Sequence, residues 1–119
     1  MKVIRIKLNP EEYYKDVLHI LQAIPPFNEL KKREIEVYAK LLYYNNKFIK
    51  EGIQEEERYK ILFGYDMRRQ IQLELNTNDG SFRNSLGNLR KLHVIEGRRL
   101  VDMYTIPFGE DLEFKFINT

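Results

Sequence analysis

The chain has 119 residues, 43% of them hydrophobic, with 20 Lys and Arg against 18 Asp and Glu for a net charge of +2. That length and apolar content suit one domain around one core, and so small a net charge creates no global field toward nucleic acid. The absence of cysteine excludes disulfides, iron–sulfur sites and thiol catalysis, and no run of about 18 apolar residues is present to span a membrane.

"KVIRIKL" alternates, with Ile4, Ile6 and Leu8 on one face and Val3, Arg5 and Lys7 on the other, which predicts a half-buried first strand. Asn9, Pro10 and Glu12 then supply a cap, a first-turn proline and a carboxylate that reaches back, so a helix is expected from Pro10 to Ile24. Its stripe is Tyr14, Val17, Leu18, Leu21 and Ile24, with Tyr13 and Ile20 outside it. That leftover pair makes this helix either a homodimer face or a helix packed wholly within the monomer. Pro25 and Pro26 end it in a rigid corner.

"ELKKREIEVYAKLLYYNN" carries Ile35, Val37, Tyr38, Leu41, Leu42 and Tyr44 on a wide apolar face and predicts a central helix. Lys31 and Lys32 stand where a capping residue and a proline are common, so the start is placed earlier, at Asn28. Gly52 and the glutamates that follow read as a loop into a short helix near Glu55 to Phe63, its acidic run a solvated face rather than a metal shell. Tyrosines 13, 14, 38, 43 and 44 fall at helical spacings that suit packing rather than base stacking.

Met67, Ile71 and Leu75 recur every four residues, which predicts a helix from about Asp66 to Asn76. "NTNDG" is turn chemistry, with Asp79 or Ser81 available to cap a second helix from about Ser81 to His93 that buries Phe82, Leu86 and Leu89. At about 100° per residue the opposite face presents Asn84, Gly87, Asn88 and Lys91, flanked by Arg83 and Arg90. Val94 and Ile95 lead to a turn at Glu96-Gly97, and Leu100 to Ile106 is β-branched and aromatic, as a strand would be. Pro107 and Gly109 break that run. Leu112, Phe114 and Phe116 alternate in a last strand suited to pair with the first.

Charge is uneven along this order. From Asp66 to Arg99 there are seven basic residues (Arg68, Arg69, Arg83, Arg90, Lys91, Arg98, Arg99) and four acidic ones (Asp66, Glu74, Asp79, Glu96), whereas Glu110, Asp111 and Glu113 make the tail acidic.

Helix, helix, polar turn, helix and a hairpin with arginines beside its turn is an order that resembles the winged helix-turn-helix superfamily. The likeness spans residues 30 to 117. "LKKREIEVYAKLLYYN" is similar to the first helix of that fold, and "MRRQIQLELNTNDGSFRNSLGNLRKLHVIEG" to the middle helix, turn and recognition helix entering the wing. Within the superfamily the chain also resembles small proteins of tailed bacteriophages, the crAss-like phages among them, a likeness that brings no activity with it. The implied fold is α+β over 1–119: an N-terminal strand and extra helix at 1–27, a helical core with the helix-turn-helix at 28–95, and a β-hairpin wing with the C-terminal strand at 96–119.

The resemblance implies duplex DNA as partner, with Arg83, Asn84, Asn88 and Lys91 in a major groove, Arg90 flanking them, and Arg98 and Arg99 in the wing against phosphate or minor groove. Asn suits adenine, Arg suits guanine, and Lys or Arg suits backbone oxygens. Gly87 costs about 1 kcal/mol against alanine inside a helix, so it is either tolerated or a site of close approach. For Arg98 and Arg99 the alternative is a solubilising hairpin tip. The alternative function is a structural or protein-docking module, such as a phage virion or assembly component, using tyrosine-rich helices and the acidic tail.

No catalytic residue, metal site or cofactor is expected. His19 and His93 have no Ser, Cys or His partner at a motif spacing, and neither "GYDMRRQ" nor "GSFRNSLGN" is a phosphate-binding glycine loop. The opening "MKVIRIKLNPEE" lacks the apolar stretch of a signal peptide, so the expected location is cytoplasmic, in a host cell, or within a virion if the chain is phage-encoded.

Overall fold

A computed structural model describes residues 2–7, 12–105 and 111–116, the two outer segments as strand backbone. Asn9, Pro10, Pro107 and Gly109, to which the sequence assigns a cap and breaks, lie outside the described residues. Those residues form a mostly helical α+β arrangement: strand β1 (Lys2–Lys7), helices α1 (Tyr13–Leu21), α2 (Lys32–Lys50), α3 (Glu55–Leu62), α4 (Tyr65–Glu74) and α5 (Asp79–Lys91), the short strands β2 (Ile95–Glu96) and β3 (Arg99–Leu100), and strand β4 (Asp111–Phe116). The terminal strands pair antiparallel, as their alternation predicts, with Ile4 opposite Phe114 and Ile6 opposite Leu112.

Helix α2 is the post around which α1, α3 and α5 gather. Its Ile35, Val37, Tyr38, Leu41 and Leu42 are each at most 1% exposed, and burying an aliphatic side chain of that size is worth about 1.5–3 kcal/mol. Tyr14, Val17 and Leu18 of α1, Leu62 of α3, Ile71 of α4 and Phe82 and Leu89 of α5 complete the core with Val94, Ile95 and Leu100 from the hairpin. The tyrosines at 13, 14, 38 and 44 are buried, so Tyr13 belongs to the core and not to a free face of α1.

Helix boundaries differ from expectation where local chemistry outweighs periodicity. Helix α1 stops at Leu21 and leaves Ile24 half exposed, because Pro25 disfavours helical dihedrals in the residue before it and has no N–H to continue the ladder. Helix α2 starts at Lys32, not Asn28. Residues Phe27–Glu29 form a separate turn of 3₁₀ helix, and the Lys31 amide donates to the Glu34 carboxylate at 3.1 Å, which supplies the missing cap from inside the helix.

Three helices end the same way. After α2, α4 and α5, residues Gly52, Asn76 and His93 take left-handed dihedrals with φ of 81°, 51° and 59°. In each case the next amide reaches back to close the last turn: Ile53 to the Phe48 carbonyl, Thr77 to Gln72 and Val94 to Leu89, at 3.0 to 3.1 Å. This is the Schellman closure, which glycine enters freely, asparagine readily and histidine at a cost.

The run expected from Leu100 to Ile106 is not one strand over its described part, residues 100–105, and Ile106 lies outside the described residues. β3 ends at Leu100, and Asp102–Tyr104 folds into a 3₁₀ turn. Tertiary contacts override strand propensity there: the Tyr38 hydroxyl donates to the Tyr104 carbonyl at 2.7 Å, and the Tyr104 ring meets Phe27 edge-on.

Candidate nucleic-acid interface

The corner between α4 and α5 is built from asparagines and one aspartate. Asn76 turns the chain, and Asn78, rather than Asp79 or Ser81, caps α5 by accepting the Ser81 amide at 2.8 Å. Freed from capping, Asp79 occupies the first turn of α5, where a negative charge is favoured. It becomes a junction. Gln72 of α4 donates to it at 2.9 Å, Arg83 pairs with it at 2.8 Å from one turn on, and Arg68 of α4 lies 3.4 Å away. The two helices are thereby locked by side chains at their shared corner.

From that start, α5 turns Phe82, Ser85, Leu86 and Leu89 into the core and leaves Arg83, Asn84, Arg90 and Lys91 exposed. A Cβ placed on Gly87 would meet nothing within 4 Å, so open space lies over the middle of the outward strip. Asn84 has no side-chain partner among the described residues and Lys91 is free of ion pairs there.

Other members of the sequence-derived set are engaged within the molecule. Asn88 donates its amide to the Glu34 carboxylate of α2 at 3.1 Å and is half-buried, which turns its recognition group inward. Arg90 donates Nε to the Gly97 carbonyl at 3.0 Å and so clasps the hairpin turn. Arg99 pairs with Glu55 at 2.5 Å and lies over the Tyr59 ring at 5.4 Å, which ties the hairpin to α3.

The hairpin pairs Ile95 with Leu100 and Glu96 with Arg99, so its two-residue loop is Gly97-Arg98 rather than Glu96-Gly97. Gly97 alone takes a positive φ, 57°, matching the turn type that wants glycine first. Arg98 then projects at the tip, exposed and without an ion-pair partner among the described residues.

Four of the seven local basic residues converge. Arg68, Arg83, Arg90 and Arg98 rim a cavity of about 270 Å³ whose floor is Leu41, Leu62, Phe63, Phe82 and Leu86. Periodicity marks Leu41, Phe82 and Leu86 of this floor as core, but gives Leu62 and Phe63 no such role and does not signal that an opening is left over them. Arg68 in particular, absent from the sequence-derived site, is brought there only by the α4–α5 corner.

On the far side of the same corner a polar cluster holds α4 to α2. The Glu74 carboxylate accepts from the Tyr44 hydroxyl, from Gln70 at 2.9 Å and from Lys40 at 2.9 Å. Burial alone would raise the Glu74 carboxyl, but these hydrogen bonds and the Lys40 charge outweigh it and hold its pKa below the ordinary value. Tyr44 is pushed up by burial and by that carboxylate. Among the described residues no three His, Cys, Asp or Glu side chains are grouped to hold a metal ion, and no helix is long and apolar enough to cross a membrane. Comparison with protein-family models, curated proteins and solved structures gives no match to this chain.

Proposed function

We propose that this chain is a non-enzymatic winged-helix protein that binds duplex DNA, most simply as a regulator, with α5 laid in the major groove and the hairpin tip against phosphate. The observation that carries this is the uncovered strip of α5, with Arg83, Asn84 and Lys91 exposed around Gly87, beside an arginine at a hairpin tip. Asn84 offers bidentate pairing to adenine, Lys91 and Arg98 offer charge to backbone oxygens, and Gly87 lets a groove edge approach the helix backbone. The working set is narrower than the sequence alone implies, because Asn88, Arg90 and Arg99 serve the protein's own scaffold and Arg83, though exposed, is already paired with Asp79. Duplex affinity measured by fluorescence anisotropy across a salt series tests it: binding should weaken steeply with salt, and no binding at low salt contradicts it.

A protein-docking role has one specific feature in its favour. A shallow depression of about 580 Å³ between α3 and α4 is lined in part by Ile61, Tyr65 and Met67, and Tyr65 is 65% exposed. The tyrosines of α1 and α2 offer less to such a role, since most are in the core.

A further inference from the structure

We infer that the cavity beneath Arg98 binds a small organic phosphate monoester carrying a single flat apolar ring. Its two halves differ in chemistry. The floor of Leu62, Phe63, Phe82 and Leu86 is hydrocarbon, and the rim is four guanidinium groups with no carboxylate among the lining residues. An apolar cleft with a few converging polar groups is the usual form of a small-molecule site, and about 270 Å³ lies just below the usual size of such sites, suited to one ring rather than two.

Charge selects the other half of the ligand. Among the described residues Asp79 is the one carboxylate paired with the rim, shared between Arg83 at 2.8 Å and Arg68 at 3.4 Å, so three of the four positive charges have no carboxylate of their own there. That surplus matches a dianion better than a monoanion. Donors are also left over: among the described residues Arg90 uses only its Nε, on Gly97, and Arg98 has no hydrogen-bond or ion-pair partner. Guanidinium groups meet phosphate oxygens in pairs of parallel hydrogen bonds, which a rim of several arginines can offer from more than one side. Ring in the floor and phosphate at the rim is the one orientation that satisfies both surfaces.

Arg83 and Arg98 belong both to this rim and to the proposed DNA face, so an occupied cavity neutralises part of that face. This consequence for DNA rests on the DNA reading, whereas binding in the cavity does not.

Titration of the full-length protein with phenyl phosphate, followed by amide chemical shifts without DNA, tests the site. Saturable shifts are expected at Phe63, Phe82, Leu86 and Arg98, with inorganic phosphate and phenol each at least roughly tenfold weaker, since each lacks one half of the fit. Arg98→Ala, exposed at a hairpin tip, should weaken phenyl phosphate roughly tenfold, while Lys15→Ala on α1 should not. Three results would overturn the site: no saturable shift at millimolar phenyl phosphate, inorganic phosphate binding as tightly as the ester, or Lys15→Ala weakening it as much as Arg98→Ala.

Discussion

Asn88 donates its side-chain amide to Glu34, and the other Glu34 oxygen holds the Lys31 amide at the start of α2. One buried carboxylate therefore joins the N-terminus of the central helix to the flank of α5. Asn88→Ala should lower stability by about 1.5 kcal/mol in urea unfolding, the usual worth of a hydrogen bond to a charged group. Its effect on duplex affinity should be small, and a loss of DNA binding with unchanged stability would return Asn88 to the interface.

Gly64 and Gly87 are both glycines beside or within helices, and they should respond oppositely to alanine. A Cβ on Gly64, the cap of α4, would stand 2.9 Å from the Lys60 carbonyl oxygen, a backbone atom that cannot swing away. Gly64→Ala should cost about 1–3 kcal/mol by overpacking. Gly87→Ala meets open space and should stabilise by about 1 kcal/mol through helix propensity alone. On the proposed DNA reading, duplex binding should nonetheless weaken in Gly87→Ala, since the added methyl would stand in the way of a groove edge approaching α5. Thermal melts paired with anisotropy separate the two effects.

Neighbouring arginines in the hairpin divide their labour. Arg98→Ala should leave the melting temperature unchanged and reduce the slope of log affinity against log salt by about 1. Arg99→Ala should barely alter that slope and cost less than about 1 kcal/mol, because its pair with Glu55 is mostly exposed to solvent. Equal slopes for the two variants would mean that the hairpin tip does not touch phosphate.

Much of this architecture is legible in the chain. Apolar spacing marks α2 as central, the alternation of Ile4, Ile6, Leu112 and Phe114 marks the terminal strand pair, and "NTND" marks the corner before α5. Less visible are features that depend on partners distant in sequence. Glu34 caps its own helix and accepts from a residue 54 positions away, which no local pattern encodes. The Tyr38 hydroxyl captures Tyr104 and turns an apparent strand into a 3₁₀ turn by the same kind of remote contact. Composition identifies basic residues in the α5 region, but only the fold separates Arg98, which faces outward, from Arg99, which is spent on Glu55.

His93 occupies a left-handed position that glycine prefers, because only there do the His93 and Val94 amides close the end of α5. His93→Gly should therefore stabilise the protein by about 1 kcal/mol, with chemical denaturation as the readout. A loss of stability would mean that the imidazole makes a contribution larger than the strain it imposes.

Acid should loosen the clamp between α2 and α4. A carboxyl whose folded pKa lies below its unfolded value stabilises the fold above the unfolded value and loses that contribution as pH falls through the folded one. Glu74 is of this kind, its carboxyl held below the ordinary glutamate value of about 4.5 by the Tyr44 and Gln70 hydrogen bonds and the Lys40 charge. Glu74→Gln should cost about 1.5 kcal/mol at neutral pH, and the gap from the parent protein should shrink as pH drops below about 4.5. A gap that stays constant down to pH 3 would show that the charge of Glu74 contributes nothing.

The most direct measurement is an amide chemical-shift map of the protein titrated with a short duplex at low salt. The predicted footprint runs along Arg83, Asn84, Gly87 and Lys91 and continues at Gly97 and Arg98. Shifts confined to Ile61, Tyr65 and Met67, or none along α5, would contradict a DNA-binding face on that helix.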